Sequence, residues 1–354
     1  MILRFSDKRI AGILTVLPKT EILFDDEARN YAFPERQTLR LKKIMGYEKH
    51  RVALPDTATS DLAVSGLQHL FETGALARDE IAALIVVTST PDHLMPPTSN
   101  VVQRRCGLTD TTLCMDISQG CLGYIIGLTQ GFLLLEHTNK KVVLVNADVL
   151  SHMVSKQDRN SYPLIGDAAA VTVLENGQTP EICINIHMDG VRGNALLVPA
   201  GGSRMPCSSE TAEMKADESG NIRSLDNLRM DGAAVFEFVQ HDAPPMILET
   251  LAAAGLDRDQ IDWYLFHQPN RFMLRKLAEK LEVPYEKVPM NIVENFGNPS
   301  GASIPLCVTH NLSDEMIKKK YLCCLSAFGS GLAWGAITIE MGNMEFCETL
   351  YSDL

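Results

Sequence analysis

The chain has 354 residues, enough for two average domains or one large α/β unit, and a chain of this length buries most of its unfolded surface without disulfides. Its 45% apolar and 21% charged residues exclude a disordered tail, and no apolar run reaches the roughly 18 residues that a membrane span requires. A formal net charge of −12 argues against nucleic acid as the main partner and obliges any acidic partner to find a local basic patch.

The N-terminus, MILRFSDKRIAGIL, lacks the basic start, apolar block and small-residue cleavage site of a secretory signal, so none is expected. Nine cysteines, an odd number without paired metal-ligand spacing, read as reduced and mostly buried thiols in the cytoplasm. The stretch Arg36 to Arg51 sets Arg36, Arg40, Lys42, Lys43, Lys49 and Arg51 against Glu35 and Glu48. It is either a solvated face or a patch for an acidic partner.

Further along, short apolar runs alternate with helical patterns, as strand-helix-strand units do. Ala82 to Thr90 (AALIVVTST) predicts a buried strand, Thr98 to Cys106 a helix, and Thr112 to Ser118 a second strand. Cys121 to Glu136 is apolar all round and predicts a helix buried in the middle of the fold. Lys141 to Ala147 predicts the next strand, and the polar stretch Gly201 to Arg223 a surface loop or lid. The order then repeats: strand at Trp263 to His267, helix with one basic face at Arg271 to Leu281, small-residue helix at Gly301 to Thr309, strand at Tyr321 to Ser326. Thr90 and His267 lie 177 residues apart, and so do Cys121 and Asn298. The equal offsets predict a duplicated α/β chain, with halves at 1–180 and 181–354 related by a pseudo-twofold and their loops meeting at one centre. Ligands of such sheets bind beyond the carboxyl ends of the strands.

Three side chains belong to the loops expected at that centre. Cys121 opens its helix after a small-residue turn, where the helix N-terminus should favour the thiolate, the reactive form. The alternative is one more buried cysteine. His267 follows the strand Trp-Tyr-Leu-Phe and opens His-Gln-Pro-Asn, which points it into the expected site; a structural histidine is the alternative. Asn298, in Gly-Asn-Pro-Ser, is a turn residue on its own, but ahead of a small-residue helix it is held where it can donate hydrogen bonds. Phe328-Gly-Ser-Gly-Leu predicts a tight turn between strands, with N–H groups free to hold an oxyanion.

Together these segments resemble the β-ketoacyl-acyl-carrier-protein synthase III family of thiolase-fold condensing enzymes. The likeness is carried by Thr90-Pro-Asp-His-Leu-Met-Pro-Pro-Thr, Gln119-Gly-Cys-Leu-Gly, Ile165-Gly-Asp-Ala-Ala-Ala, Met230-Asp-Gly-Ala-Ala-Val-Phe, His267-Gln-Pro-Asn and Gly297-Asn-Pro-Ser-Gly-Ala-Ser. The resemblance implies a duplicated thiolase-like fold layered α-β-α-β-α. It also implies an acyl group loaded on Cys121 and condensed, with loss of carbon dioxide, with a malonyl-type thioester held by His267 and Asn298. The backbone N–H groups of Cys121 and Ser330 would form the oxyanion hole. Met95 falls where the family extends a loop across its dimer axis into the neighbour's acyl pocket, so a homodimer is expected; core packing is the alternative for that residue.

Two departures bear on the substrate. Family members using coenzyme A thioesters often carry a Trp and an Arg in the stretch aligned with Arg40 to Lys49, and neither is in place here, although Arg159 keeps the position of a second nucleotide-contacting Arg. Arg271 is displaced by one place from the usual carrier-docking Arg. The departures favour an acidic acyl carrier protein as donor, docking on Arg271, Arg275, Lys276 and Lys280 with Lys42 and Lys43, with coenzyme A thioesters as the alternative; the pathway is ordinary fatty-acid initiation or a specialised one. No cofactor or metal is required. Rival readings are transfer of the Cys121-bound acyl group to an oxygen or nitrogen acceptor, and a non-catalytic partner of a condensing enzyme. Thiolase proper would need a second catalytic cysteine in the C-terminal turn, and hydroxymethylglutaryl synthase chemistry a glutamate beside Cys121.

Overall fold

The computed structural model describes residues 1–354. The principal strands are β1 (Ile2–Phe5), β2 (Lys8–Pro18), β3 (Ile81–Thr88), β4 (Leu113–Ser118), β5 (Lys141–Asp148), β6 (Ala168–Asn176), β7 (Ile182–Met188), β8 (Trp263–Phe266), β9 (Lys320–Gly329), β10 (Ala333–Gly342) and β11 (Phe346–Ser352). The principal helices are α1 (Glu35–Met45), α2 (Thr59–Glu72), α3 (Thr98–Cys106), α4 (Gly123–Leu135), α5 (Gly232–Ala253), α6 (Arg271–Leu281), α7 (Ile292–Phe296) and α8 (Ser303–Asn311).

A six-stranded sheet runs β11-β2-β6-β5-β3-β4 and a five-stranded sheet runs β1-β7-β10-β9-β8. From β2 the first sheet steps antiparallel, antiparallel, parallel, parallel. From β7 the second steps antiparallel, antiparallel, parallel, so the two match strand for strand until β4, which has no counterpart. The ends of the chain cross over: β1 pairs with β7 in the second sheet, and β11 pairs with β2 in the first.

Burial explains the layering. Helix α4 is apolar on every side, with Tyr124, Ile125, Leu128 and Phe132 fully enclosed, so it can only lie between sheets. With Ile304, Leu306 and Val308 of α8 it forms the central core, which also takes Val87 and Leu144 from one sheet and Leu325 and Ile337 from the other. Helices α2 and α3 cover the outer face of the first sheet, and α5 and α6 that of the second. The fold is α/β, thiolase-like and five-layered.

Local starts differ from the sequence expectation in two places. Helix α4 begins at Gly123, and Cys121 lies in the turn ahead of it, closed by Gly123 N–H donating to Gly120 O at 2.7 Å. The small-residue helix begins as a single 3-10 turn at Ser300–Ala302 before α8. Residues 201–223 are largely exposed and include a short hairpin, Lys215–Ala216 with Ile222–Arg223.

Candidate active site

Cys121 follows β4 and packs against the end of β9. A Cβ on Gly329 would stand 2.6 Å from the Cys121 Cβ, so that position accepts no side chain. The turn after Gly329 is tied down by Gln119 Nε2, which donates to Ser330 O at 3.3 Å. The N–H groups of Cys121 and Ser330 meet no protein acceptor.

His267 is the first residue beyond β8, and its N–H extends the ladder to Ser326 O at 2.8 Å. Its ring is buried, edge-on to Phe328, with Nδ1 at 2.7 Å from Ser303 Oγ. Burial pushes its pKa down to about 3, against the opposing pull of a backbone hydrogen bond at Ser300. The imidazole is therefore neutral at physiological pH.

Asn298 is held by a backbone clasp: its N–H donates to Leu164 O at 2.7 Å, and Gly166 N–H donates to Asn298 O at 3.2 Å. Its side-chain Oδ1 accepts from Ser300 N–H at 2.9 Å, which leaves the amide N–H groups for the cavity.

Two cavities meet at Cys121. The smaller, about 270 Å³, is lined mainly by aliphatic side chains, among them Leu150, Met153, Leu197 and Leu228, with Asn298, Ser300 and Ser330 at its polar end. The larger, about 450 Å³, is lined by Cys121, His267 and Asn298 together with Leu41 and Met45 of α1 and Phe272 and Met273 of α6.

The thiol corrects one sequence expectation. Burial pushes Cys121 up to about 12, the Asp148 carboxylate pushes the same way, and the Ser300 hydroxyl pulls against them. Desolvation of the thiolate is the largest cause, and helix α4 begins two residues beyond Cys121. Asp148, at the end of β5, is a site residue that the sequence reading missed. Its Oδ1 accepts from Ser89 N–H at 2.7 Å, Thr88 Oγ1 at 3.1 Å and Thr90 Oγ1 at 3.2 Å, and burial raises its pKa to about 6. Ser300 and Ser303 were missed as well; their only signal was the Ser-Gly-Ala-Ser run after Asn298.

The other expected binding residues lie outside this centre. Met95 is 83% exposed and lines neither cavity. That excludes core packing for it within one chain. Arg159 stacks on the Phe33 ring at 3.4 Å, with Nε and Nη1 buried and unpartnered. Arg271 is paired with Glu294 at 2.9 Å, Lys276 with Glu279 at 2.7 Å, and Lys280 donates to Gln240 O at 2.6 Å. Arg275 is exposed, over the Tyr285 ring at 5.5 Å.

A turn carrying Cys121, with His267 and Asn298 lining the same cavity of a five-layered α/β fold, is the arrangement expected of a thiolase-fold condensing enzyme. Residues 115–190 match the family profile described as 3-oxoacyl-[acyl-carrier-protein (ACP)] synthase III, and residues 251–341 match its C-terminal profile. The β-ketoacyl-[acyl-carrier-protein] synthase III of Syntrophomonas wolfei is 33% identical over 84% of this chain and 87% of its own, and that of Rhodopirellula baltica 32% identical over 82% and 87%. The crystal structure of a 3-oxoacyl-(acyl-carrier protein) synthase from Burkholderia xenovorans superposes with a TM-score of 0.91, 33% identity and 99% coverage of both chains. The chain belongs to the 3-oxoacyl-[acyl-carrier-protein] synthase III family.

Proposed function

We propose that this chain loads an acyl group on Cys121 and lengthens it by decarboxylative condensation with a malonyl-type thioester. The observation that carries the reading is that Cys121, His267 and Asn298 line one cavity, and that Cys121 also lines a neighbouring aliphatic cavity. In the first half-reaction Sγ attacks the acyl thioester carbonyl, the donor's thiol departs with the proton, and the acyl chain lies in the aliphatic cavity. The unpartnered N–H groups of Cys121 and Ser330 receive the developing oxyanion.

In the second half-reaction the malonyl thioester oxygen accepts from Asn298 Nδ2 and His267 Nε2. Ser303 Oγ lies 2.7 Å from Nδ1, and in this step its hydroxyl donates there, which leaves the imidazole proton on Nε2. The bond to the malonyl carboxylate breaks, its electron pair forms the enolate, and carbon dioxide leaves. The enolate carbon attacks the Cys121 thioester and expels the thiolate. A neutral imidazole donates where charge develops without neutralising it permanently.

The chain's nine cysteines are all unpaired, which suits a reducing, cytoplasmic compartment. No helix is long and apolar enough to cross a membrane. An acyl carrier protein fits as donor because the cavity mouth is flanked by the basic helices α1 and α6. No cofactor is needed, since side chains and thioesters carry every step.

The test is intact mass after incubation with acyl-coenzyme A and acyl-carrier thioesters, followed by a malonyl thioester with carbon dioxide collected. The wild type should gain one acyl group that Cys121→Ala does not. It should then lose that mass with one equivalent of carbon dioxide. Acylation without carbon dioxide release would move the reading to acyl transfer onto another acceptor.

A further inference from the structure

Two titratable side chains that take no part in the chemistry above are sealed inside the fold and tied to its scaffold. His50, in the short strand Lys49–Arg51, and Glu27, at the end of the short helix Phe24–Glu27, are 1% and 3% exposed. His50 Nε2 lies 3.0 Å from Glu27 Oε2, and Nδ1 lies 2.5 Å from Ile165 O. The Tyr162 ring meets the imidazole edge-on at 5.3 Å. Burial first, and the Glu27 carboxylate next, raise the phenols of Tyr31, Tyr47 and Tyr162, so the carboxylate sits among three tyrosines.

Burying such a pair costs desolvation, and an apolar pair of similar volume is often as stable. What the pair supplies is direction. A carbonyl oxygen only accepts, so Nδ1 carries a proton and donates to Ile165 O, while the carboxylate at Nε2 fixes the orientation of the ring.

Ile165 is the middle residue of the clasp on Asn298. It bridges Asn298 as a parallel strand would: Leu164 O accepts from Asn298 N–H at 2.7 Å, and Gly166 N–H donates to Asn298 O at 3.2 Å. In a parallel bridge the bonds come from the neighbours of the bridging residue, whose own carbonyl faces the other way. The Ile165 carbonyl therefore turns from Asn298 to His50, and the segment is held from both sides. One residue further along each chain, Asp167 N–H donates to Arg51 O at 2.9 Å.

We propose that His50, oriented by Glu27, is a positioning residue for Asn298. By donating to Ile165 O it sets the place of the Leu164–Gly166 segment, and through it the place of the Asn298 amide against the malonyl thioester. The inference rests on the role given above to Asn298 in decarboxylation. His50 lines neither cavity and acts only through backbone.

Two amides of different length separate the two bonds of the ring. In His50→Asn the side-chain N–H takes the place of Nδ1 and keeps the bond to Ile165 O. In His50→Gln it takes the place of Nε2 and keeps only the bond to Glu27. Both variants, Asn298→Ala and His50→Gln/Asn298→Ala are acylated on Cys121 and given malonyl-N-acetylcysteamine, with carbon dioxide release followed. A displacement of about 1 Å in a reacting group costs on the order of a hundredfold, so His50→Gln should lose at least tenfold in kcat with little change in KM. His50→Asn should stay within a few-fold of wild type. Acylation of Cys121 should change only a few-fold in both, which also reports an intact fold. The double variant should release carbon dioxide no more slowly than Asn298→Ala alone. Unchanged release in His50→Gln, equal losses in His50→Asn and His50→Gln, a matching loss of acylation, or a further loss on top of Asn298→Ala would each overturn the positioning role. Release at the wild-type rate in Asn298→Ala would overturn the reading beneath it, and the positioning role with it.

Discussion

Cys121 is held where its charge is disfavoured, and that is testable without any substrate. Only the thiolate alkylates, and an ordinary cysteine does so fully above a pKa of about 8.5. With the thiol pushed up to about 12, iodoacetamide labelling of Cys121 should still be accelerating at pH 10, with peptide mapping to separate it from the exposed Cys207. Asp148→Asn removes the carboxylate that pushes the same way and keeps an acceptor for Ser89 N–H, so its Cys121 should label several-fold faster at pH 8. A wild-type plateau near pH 8, with no effect of the substitution, would mean that the helix start governs the thiol after all. Cys121 and His267 stood out in the sequence because each follows a strand pattern, and Asn298 because Gly-Asn-Pro-Ser precedes a small-residue helix. Asp148 did not, because Asn-Ala-Asp reads as the polar end of any strand. The groups that hold it come from Ser89 and its neighbours, about sixty positions earlier. The direction of the thiol's shift was misread for a related reason: a helix start shows in a sequence, and enclosure does not.

Single elements position Asn298, and the contact that fixes it has no room for side chains. Gly297 has φ 79° and ψ −176°, a region essentially reserved for glycine. A Cβ there would stand 2.7 Å from Gly166 N, and one on Gly166 would stand 2.1 Å from Phe296 O, so the two segments pass backbone against backbone. Gly297→Ala should therefore cost on the order of 1–3 kcal/mol of stability through backbone strain, read as a lower urea midpoint. Its effect on the reaction should be lopsided. Displacing the Asn298 amide by about 1 Å is enough to cost roughly a hundredfold in rate, so carbon dioxide release should fall at least tenfold. Acylation of Cys121, which does not use Asn298, should change only a few-fold. Equal losses in both half-reactions would show that the loop serves the whole site and not the decarboxylation step. The sequence displayed Gly-Asn-Pro-Ser as a turn; its partner, the Leu164–Gly166 segment, could not be read because strand-like pairing between loops 133 residues apart (Ile165 and Asn298) leaves no periodic trace.

At the scale of the whole molecule, the duplication was visible as two equal offsets, and the matched strand order of the sheets is its structural form. The crossing of β1 and β11 into the opposite sheets was hidden, since a short edge strand carries no mark of which sheet it joins. Another edge is left open by the same architecture. Strand β4 closes the six-stranded sheet with a row of unpaired backbone groups, and a natural edge is usually blunted by charge, proline or a bulge. The one charged residue of β4, Asp116, is committed to Thr98 N–H and Ser99 N–H at 2.6 and 2.8 Å, while Leu113 is 48% exposed. In the loop ahead of α3, Leu94 and Met95 are 91% and 83% exposed. A second copy paired along β4 would satisfy the edge and cover these side chains. Light scattering should then find a two-chain species at micromolar concentration, and Leu113→Lys should shift it toward single chains. Met95 lines neither cavity of its own chain, so Met95→Trp has a route to the acyl site only through a partner. It should narrow the range of acyl lengths that label Cys121. A one-chain species together with unchanged acyl selectivity in Met95→Trp would leave both features as plain surface and overturn the dimer.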